Sequence, residues 1–305
     1  MSAPARTLRA GEQLLHLGGA EPPLLMGVVN ASPDSFSDGG LRATLDARVQ
    51  LGAELLAAGA TILDVGGESA TTGRPPVGEH EEIERVVPLV ERLAGELGAL
   101  VSIDTYKPAV ARAAVAAGAR IVNDVSGLRD AQLADVCAQS GAALVLMHTA
   151  AAPRERRQDP DLYGDVTGEV LAFLAQRIEL ALERGVSFER LIVDPGPDFA
   201  KTPAQTVRML GELERLHELR RPLLLAISRK DFIGALTGTA PRERGAGTLA
   251  ALADGLERGA HIFRLHDVRA AGEYMRVRAA LRGQAPPGRD LALDEELRYE
   301  RDPRP

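Results

Sequence analysis

Short apolar runs alternate with longer amphipathic segments along most of the chain. There are eight runs of six or seven residues, and several are nearly continuous in Val, Ile and Leu. This is the length of a buried strand, and a strand has this composition when both of its faces are covered, as in a parallel sheet. The runs are Leu24–Asn30, Thr61–Gly67, Leu100–Tyr106, Arg120–Ser126, Ala143–His148, Leu191–Gly196, Leu223–Arg229 and His261–Asp267.

The segments between the runs have a helical period. In the first of them, Leu45, Val49 and Leu55 fall on one broad face, while Arg48 and Glu54 stay outside it. Several segments end on a glycine just before the next run, a position that suits a left-handed cap at the end of a helix. These glycines are Gly59, Gly118, Gly141, Gly185 and Gly259.

Eight strand–helix units in about 260 residues predict an α/β fold with a single-domain (β/α)8 barrel, the TIM barrel. An open doubly wound sheet is the competing architecture, but its edge strands would be more polar than these runs. We expect the barrel to span residues 23–283. Residues 1–22 precede it as an extension, in which Thr7–Leu17 alternates weakly and suits a hairpin closing the barrel bottom. Residues 284–305 form a loosely held tail, rich in proline and charge.

Composition narrows the class of function. Hydrophobic residues make up 45% of the chain and aromatic residues only 3%, so the core is aliphatic. The net charge of -7 argues against a nucleic-acid partner, although it allows a local cationic pocket for a small anion. The single cysteine, Cys137, excludes an internal disulfide and favours a reducing cytoplasm. No run approaches the about 18 apolar residues of a membrane span, and we expect neither a membrane partner nor a secretory signal.

Every run ends in polar or charged side chains, which in a barrel would line the face that carries the active site. For a single Asp or Asn, capping of the next helix explains the position equally well. Because all eight runs end this way, a ligand-binding face is favoured. The strand-end residues are Asn30, Asp64, Glu68, Asp104, Asn123, Asp124, His148, Asp194, Ser228, Arg229, Lys230, Arg264 and His266.

Four of these residues have the chemistry of a heterocycle site. Asp104, Asn123, Asp194 and Lys230 offer carboxylates, an amide and one ammonium. A carboxylate accepts parallel N–H bonds from an amino-pyrimidine edge, while Lys or Asn donates to a carbonyl or a ring nitrogen. This set therefore suits a planar heterocycle with amino and oxo edges. A solvated helix start is the alternative explanation for Lys230.

A second group suits an anion. Arg264 and His266 can bind phosphate oxygens, and the Asn30 side-chain oxygen can help to hold Mg2+. Phosphate sites in this fold commonly lie at the last strands, where Arg264 and His266 are expected. The alternative for His266 is a structural histidine. The connector Thr149–Tyr163 also contains arginines, but we interpret it as a solvated segment with at most a minor phosphate role.

Taken together, the strand-end motifs resemble the dihydropteroate synthase family. They occur in family order from Leu24 to Val268, so the resemblance covers most of the chain. The matching strings are Asn30–Gly40, Asp64–Ser69, Ser102–Thr105, Asn123-Asp124, Leu146–His148, Asp194–Gly196 with Phe199 and Lys201, Ser228–Lys230 and Arg264–Asp267.

The resemblance implies an enzyme of folate synthesis that condenses 6-hydroxymethyl-7,8-dihydropterin pyrophosphate with 4-aminobenzoate, giving 7,8-dihydropteroate and pyrophosphate. It also implies a homodimer. Its small-molecule substrates and Mg2+ would be distributed as follows. The residues that contact the pterin would be Asp104, Asn123, Met147, Asp194, Phe199 and Lys230. The residues that bind the pyrophosphate would be Asn30, Arg264 and His266, with Asn30 as the metal ligand, and those at the aminobenzoate would be Phe36, Arg74 and Ser228. The catalytic residues would be Lys230, Arg264 and His266.

The chain departs from the family pattern in its loops. The family usually follows Gly-Gly-Glu-Ser with Thr-Arg-Pro-Gly, but here Ala70–Pro75 displaces the loop arginine, Arg74, by three residues. Asp198 stands where glycine is usual. A second hypothesis is therefore a homologue that binds the pterin pyrophosphate with weak or no synthase activity. A pterin-dependent methyl-transfer barrel is a third, but it needs no pyrophosphate site such as Arg264 with His266.

Overall fold

The computed structural model describes residues 3–31, 44–68 and 76–298. The chain begins with an antiparallel hairpin of β1 (Arg6–Ala10) and β2 (Gln13–Leu17), in which Leu8 pairs with Leu15. The Gly11 N–H in the hairpin turn donates to the Gly141 carbonyl at 3.0 Å, and Arg221 Nη2 donates to the Thr7 carbonyl at 2.9 Å. These bonds attach the hairpin to the loops at the amino-terminal end of the sheet.

Eight parallel strands then form one sheet in the order β8-β7-β6-β5-β4-β3-β10-β9. A bridge between Val193 and Leu223, with a 3.0 Å bond from the Val193 N–H to the Pro222 carbonyl, joins the two outer strands. The closure confirms the barrel and rules out the open sheet. The strands are β3 (Leu24–Asn30), β4 (Ile62–Gly66), β5 (Leu100–Asp104), β6 (Ile121–Asp124), β7 (Ala143–Met147), β8 (Leu191–Asp194), β9 (Leu224–Leu225) and β10 (Ile262–Leu265).

Helices follow the barrel strands and cover the outside of the sheet. The five glycines expected at helix ends, Gly59, Gly118, Gly141, Gly185 and Gly259, all have positive φ. Among the described residues, no helix combines the length and apolar character that a bilayer crossing needs. The helices are α1 (Leu45–Ala57), α2 (Glu79–Gly95), α3 (Pro108–Ala116), α4 (Gln132–Ser140), α5 (Val166–Glu183), α6 (Pro203–Gly211), α7 (Asp231–Thr237), α8 (Gly245–Glu257) and α9 (Val268–Leu281).

Apolar side chains fill the amino-terminal end of the barrel interior. Leu8 and Leu17 of the hairpin pack against inward-facing residues such as Met26, Ile62 and Ile262, all of which are essentially buried. A fully buried side chain of this size contributes about 1.5–3 kcal/mol through removal of apolar surface from water. The hairpin therefore closes the bottom of the barrel and leaves the opposite end open for a site.

The strand register brings polar residues into one row at the carboxyl end. Asn30 pairs with Gly66, Gly66 with Asp104, and Asp104 with Asn123. On the next strands, Met147 pairs with Asp194. Residues far apart in the sequence are thus placed side by side, because parallel strands end at the same edge of the barrel.

Candidate active site at the carboxyl end of the barrel

An arginine on β10 is held between two carboxylates. Arg264 Nε donates to Asp64 Oδ2 at 2.6 Å, and its Nη2 donates to Asp104 Oδ2 at 2.8 Å. Asp64 is fully buried, while the Arg264 and Asp104 side chains remain 22% and 20% exposed. Burial alone would lower the pKa of Arg264, but the two carboxylates raise it above its usual value. The guanidinium is therefore charged, fixed in position by two carboxylates and still partly exposed.

The Asp64 carboxylate also positions the side-chain amide of Asn123. Asn123 Nδ2 donates to Asp64 Oδ2 at 3.2 Å, and Asn123 is 3% exposed. Burial raises the pKa of Asp104, Arg264 opposes that rise, and the nearby Asp64 charge adds to it. Asp104 consequently lies at a balance between carboxylate and carboxylic acid, which a ligand bearing N–H donors would shift toward the carboxylate.

Asp194 ends β8 beside Met147 and is 3% exposed. Its Oδ1 accepts a 2.7 Å bond from the Gly196 N–H, so a tight turn fixes the carboxylate. Gly196 has φ +64°, and a Cβ at this position would stand 2.1 Å from the His148 carbonyl oxygen. Only glycine permits this approach. Burial raises the pKa of Asp194 to about 6, although the hydrogen bond from the Gly196 N–H and the positive charge of Lys230 both lower it.

Lys230 lies above an aromatic face and beside an aspartate in an unusual conformation. Its Nζ is 4.3 Å from the centroid of the Phe199 ring. Burial lowers the pKa of Lys230, and Asp198 opposes this. Asp198 has φ +65°, the left-handed region in which glycine is favoured, and its Oδ2 accepts a 2.6 Å bond from the Asp231 N–H at the start of α7. The aspartate that replaces the usual glycine thus ties two loops together next to Lys230.

The other two residues predicted for the anion, His266 and Asn30, lie at the ends of β10 and β3. Ser228 Oγ lies 3.0 Å from His266 Nδ1 and accepts a 3.2 Å bond from the His266 N–H. Asn30 is exposed at the end of β3. The position that a Cβ on Gly66 would occupy is 3.9 Å from both Asn30 Oδ1 and Asp104 Oδ2, so this glycine leaves space between the two side chains.

A buried ion-pair network closes one side of the mouth. Lys107 Nζ donates to Glu68 Oε2 at 2.9 Å and to Glu82 Oε2 at 2.5 Å, and the Tyr106 hydroxyl donates to Glu68 Oε2 at 2.9 Å. Arg154 also pairs with Glu68. Burial alone would raise the pKa of Glu68, but the Lys107, Val77 and Tyr106 hydrogen bonds hold it at about 2. The network joins the loops that follow β4, β5 and β7.

The network borders a cavity of about 490 Å³ that extends from Asp104 to Phe199. Arg154, Arg156 and Arg157 line it on the side of the connector after β7. The interpretation of this connector as a purely solvated segment is therefore wrong for Arg154, whose side chain is only 12% exposed. The pairing with Glu68 explains the burial, and the sequence gives no sign of it because the residues are 86 positions apart.

Comparison with known proteins identifies the family of this chain. The family model described as pterin binding enzyme matches residues 26–266. The chain belongs to the pterin-binding enzyme family. It is 40% identical over 262 residues to dihydropteroate synthase of Bacillus subtilis, covering 86% of this chain and 89% of that protein.

Solved structures agree. The structure of Xanthomonas albilineans dihydropteroate synthase with 4-aminobenzoic acid has a TM-score of 0.82 and 42% identity, and the match covers 91% of this chain and 98% of that one. The same bacterium's enzyme in complex with 7,8-dihydropteroate gives 0.79 and 41%, over 90% and 98% of the two chains. The family-model match, residues 26–266, includes the carboxyl end of every barrel strand of this family member.

The predicted pterin and anion residues of this family member share one end of the barrel. Helix capping, the alternative for strand-end acids, is seen at the neighbouring Asp267, the last residue of the eighth run, which accepts a 2.9 Å bond from the Ala270 N–H. It does not hold for Asp104 or Asp194, because α3 and α6 have Lys107 and Thr202 at their N-caps.

Two of the predicted aminobenzoate residues, Phe36 and Arg74, lie outside the described residues. Sequence reasoning placed Asp64 on the ligand-binding face without a specific role, whereas in the structure it holds both Arg264 and Asn123. The signal was present: an acid in the middle of Ile62–Gly66 has no packing reason to be there.

Proposed function

We propose that this chain is a dihydropteroate synthase, which condenses 6-hydroxymethyl-7,8-dihydropterin pyrophosphate with 4-aminobenzoate. The observation that carries the proposal is the guanidinium of Arg264, held by Asp64 and Asp104 at the mouth among the other strand-end side chains. The relatives with 4-aminobenzoic acid and with 7,8-dihydropteroate support the choice of substrates.

The pterin ring would lie between the strand ends of β5, β6 and β8. Asp104 and Asp194 would accept its amino and ring N–H groups, Asn123 would meet a polar edge, and Lys230 would donate to an oxo group or ring nitrogen. Met147 and the Phe199 ring would supply apolar contact. The raised pKa of Asp194 supports this assignment, since a buried carboxylate without a full set of donors gains most from a ligand that brings them.

The diphosphate would lie at the last strands. Arg264 would bind its oxygens with a charge that remains fixed at all physiological pH values, and His266 would add a second donor oriented by Ser228. Because Ser228 would also border the aminobenzoate, together with Phe36 and Arg74, this serine connects the leaving group to the incoming amine. Phe36, Arg74 and the roles of Ser228 stay predictions.

The residues present fit the Mg2+ that the family resemblance implies. Within the described residues, no group of three or more His, Cys, Asp or Glu forms a protein-only metal cage. Mg2+ commonly takes one or two protein oxygens and completes its shell with substrate phosphates and water. Asn30 would provide such an oxygen, and the ion would offset negative charge on the departing diphosphate.

A homodimer and a cytoplasmic location also stay predictions.

The reaction needs little from a general base. The bond between the methylene carbon and the diphosphate oxygen breaks, and its electron pair leaves with pyrophosphate. The amine nitrogen of 4-aminobenzoate forms the new C–N bond and then loses a proton to water. Arg264 and His266 would stabilise the charge that develops on the leaving group, which is the largest contribution such a site can make. Lys230 would orient the pterin ring.

The alternative is a homologue that binds the pterin pyrophosphate without synthase activity. Purified protein with the pterin pyrophosphate, 4-aminobenzoate and Mg2+ should release pyrophosphate and form 7,8-dihydropteroate in equal amounts, and omission of 4-aminobenzoate should abolish both. The measurement is a coupled pyrophosphate assay with chromatography of the product. Pterin binding without product formation would contradict the proposal and favour the binding homologue.

A further inference from the structure

Lys201, which pairs with no carboxylate among the described residues, lies directly behind the pterin side of the site. Lys201 is 0% exposed, and its Nζ donates to the Gly196 carbonyl at 2.9 Å and to the Phe199 carbonyl at 3.1 Å. Its third contact is His148 Nδ1 at 2.8 Å. None of these hydrogen bonds goes to a carboxylate, which is unusual because a buried charge is costly unless it is paired.

The residues that Lys201 contacts are themselves hydrogen-bonded to Asp194, and the four residues form one closed circuit of hydrogen bonds. The lysine holds Gly196 and His148; the Gly196 N–H donates to Asp194 Oδ1 at 2.7 Å; and the His148 N–H donates to the Asp194 carbonyl at 2.9 Å. One ammonium thus braces the ends of both β7 and β8. The same ammonium also holds Phe199, whose ring lies under Lys230.

The charges around this circuit favour a functional explanation over a purely structural one. Burial lowers the pKa of Lys201 to about 7, and Asp194 opposes that shift. Burial, and then the Lys201 charge, lowers the pKa of His148 to about 2, so its neutral ring accepts from the lysine. A neutral side chain could brace a backbone at lower cost. The charge is explained if it favours the carboxylate form of Asp194.

We propose that Lys201 is a positioning residue of the pterin site: it holds the Asp194–Gly196 turn in place and keeps the Asp194 carboxylate ionised for the ligand. The inference rests on the proposed function, because it assumes that Asp194 receives the pterin N–H groups. The other charged groups that face this pair are Lys230 and Asp198 from the neighbouring loops and Arg264 from β10. Lys201 touches no ligand in this scheme and acts through Asp194.

The test compares Lys201→Met with Tyr163→Phe. The Tyr163 hydroxyl donates to the Ala200 carbonyl at 3.0 Å, so its removal loosens the same segment and leaves the charge unchanged. Titration calorimetry with 6-hydroxymethyl-7,8-dihydropterin pyrophosphate, from pH 5 to 8, measures the affinity of each variant. In the wild type the affinity should fall in two steps as the pH decreases, near 7 where Asp104 becomes protonated and near 6 where Asp194 does, and the lower step is the one that the variants are compared on.

In Lys201→Met this Asp194 step should move about one pH unit higher, because a positive charge near the carboxylate has been removed, and affinity at pH 6 should fall about fivefold. Tyr163→Phe should weaken binding, if at all, by the same factor at every pH, and the pH at which affinity falls should match the wild type. Equal positions of this step in wild type and Lys201→Met, or an equal shift in Tyr163→Phe, would overturn the inference. Protein that binds no pterin at all would instead contradict the proposed function.

A measurement on the unmodified, unliganded protein covers the case in which Lys201→Met does not fold. NMR titration of carboxyl carbons and lysine side chains should show that Lys201 still carries its proton while Asp194 ionises near pH 6. A lysine that is neutral throughout that range would overturn the inference.

Discussion

The two ends of the barrel use the same strands for opposite purposes. At the amino-terminal end, β4 contributes Ile62 to an aliphatic interior closed by Leu8 and Leu17. Two residues further along, the same strand contributes Asp64 to an ion-pair cluster at the carboxyl end. The strand period is two, so both side chains point into the barrel, and only their depth differs.

This difference separates stability from binding. The aliphatic end gains free energy from burial without directional partners, so its residues are exchangeable within limits of volume. The polar end holds charges whose desolvation cost is offset only by their mutual contacts. Replacement of an aliphatic residue at the amino-terminal end should therefore lower stability and leave ligand binding unchanged. Replacement of a charged residue at the carboxyl end should lower both stability and ligand binding.

The largest effect is expected at the polar end. Arg264→Met leaves the Asp64 and Asp104 carboxylates without their cation and should lower the free energy of unfolding by about 3–5 kcal/mol. Binding of the pterin pyrophosphate should weaken more than about a hundredfold, since an interaction of about 3 kcal/mol between Arg264 and the diphosphate is also lost. Denaturant unfolding and calorimetry measure the two quantities.

Arg9→Met is the matched control for that variant. The Arg9–Glu189 pair has the same 2.6 Å separation as the Arg264–Asp64 pair, but its side chains are 34% and 44% exposed. Its loss should cost less than about 1 kcal/mol and leave binding unchanged. Adding Asp64→Asn to Arg264→Met should restore part of the stability but not the binding. Recovery of both would show that Arg264 acts only by neutralising Asp64.

A smaller effect, confined to stability, is expected at the aliphatic end. Leu8→Ala should lower the free energy of unfolding by about 2–4 kcal/mol, because a cavity forms beneath the hairpin. Leu14, on the same hairpin but 42% exposed, should tolerate alanine to within about 0.5 kcal/mol. Values of kcat and KM measured well below the unfolding temperature should match the wild type. A change in KM on Leu8→Ala would mean that the two ends are coupled.

The smallest effect concerns a charge beside Lys230. Asp198→Asn keeps a residue tolerant of positive φ and an oxygen acceptor for α7, so stability should change by less than about 0.5 kcal/mol. The lost charge normally opposes the burial that lowers the pKa of Lys230. That pKa should therefore decrease further, and the alkaline limb of kcat/KM should move to lower pH by less than about one unit. An unchanged limb would show that Asp198 serves only α7.

The sequence was most informative about features that repeat along the chain. Eight apolar runs with amphipathic segments between them predicted the barrel, and positive φ at the glycines that end α1, α3 and α4 follows the same local logic. Strand-end polarity predicted that Asp104, Asn123, Asp194 and Arg264 would meet at one end of the barrel. These are statements about burial and position in an element, which are encoded within a few residues of each site.

The partners of the charged groups could not be obtained in this way. Arg264 and Asp64 are 200 residues apart, and Arg154 and Glu68 are 86 apart. Lys201 was part of a recognised string, yet its neutral histidine partner and its position behind Asp194 depend on how β7 and β8 end side by side. The sequence by itself determined the fold and which end carries the chemistry, because periodicity and strand-end polarity are local. Only the tertiary structure decided which charge faces which, because barrel closure and register choose the neighbours.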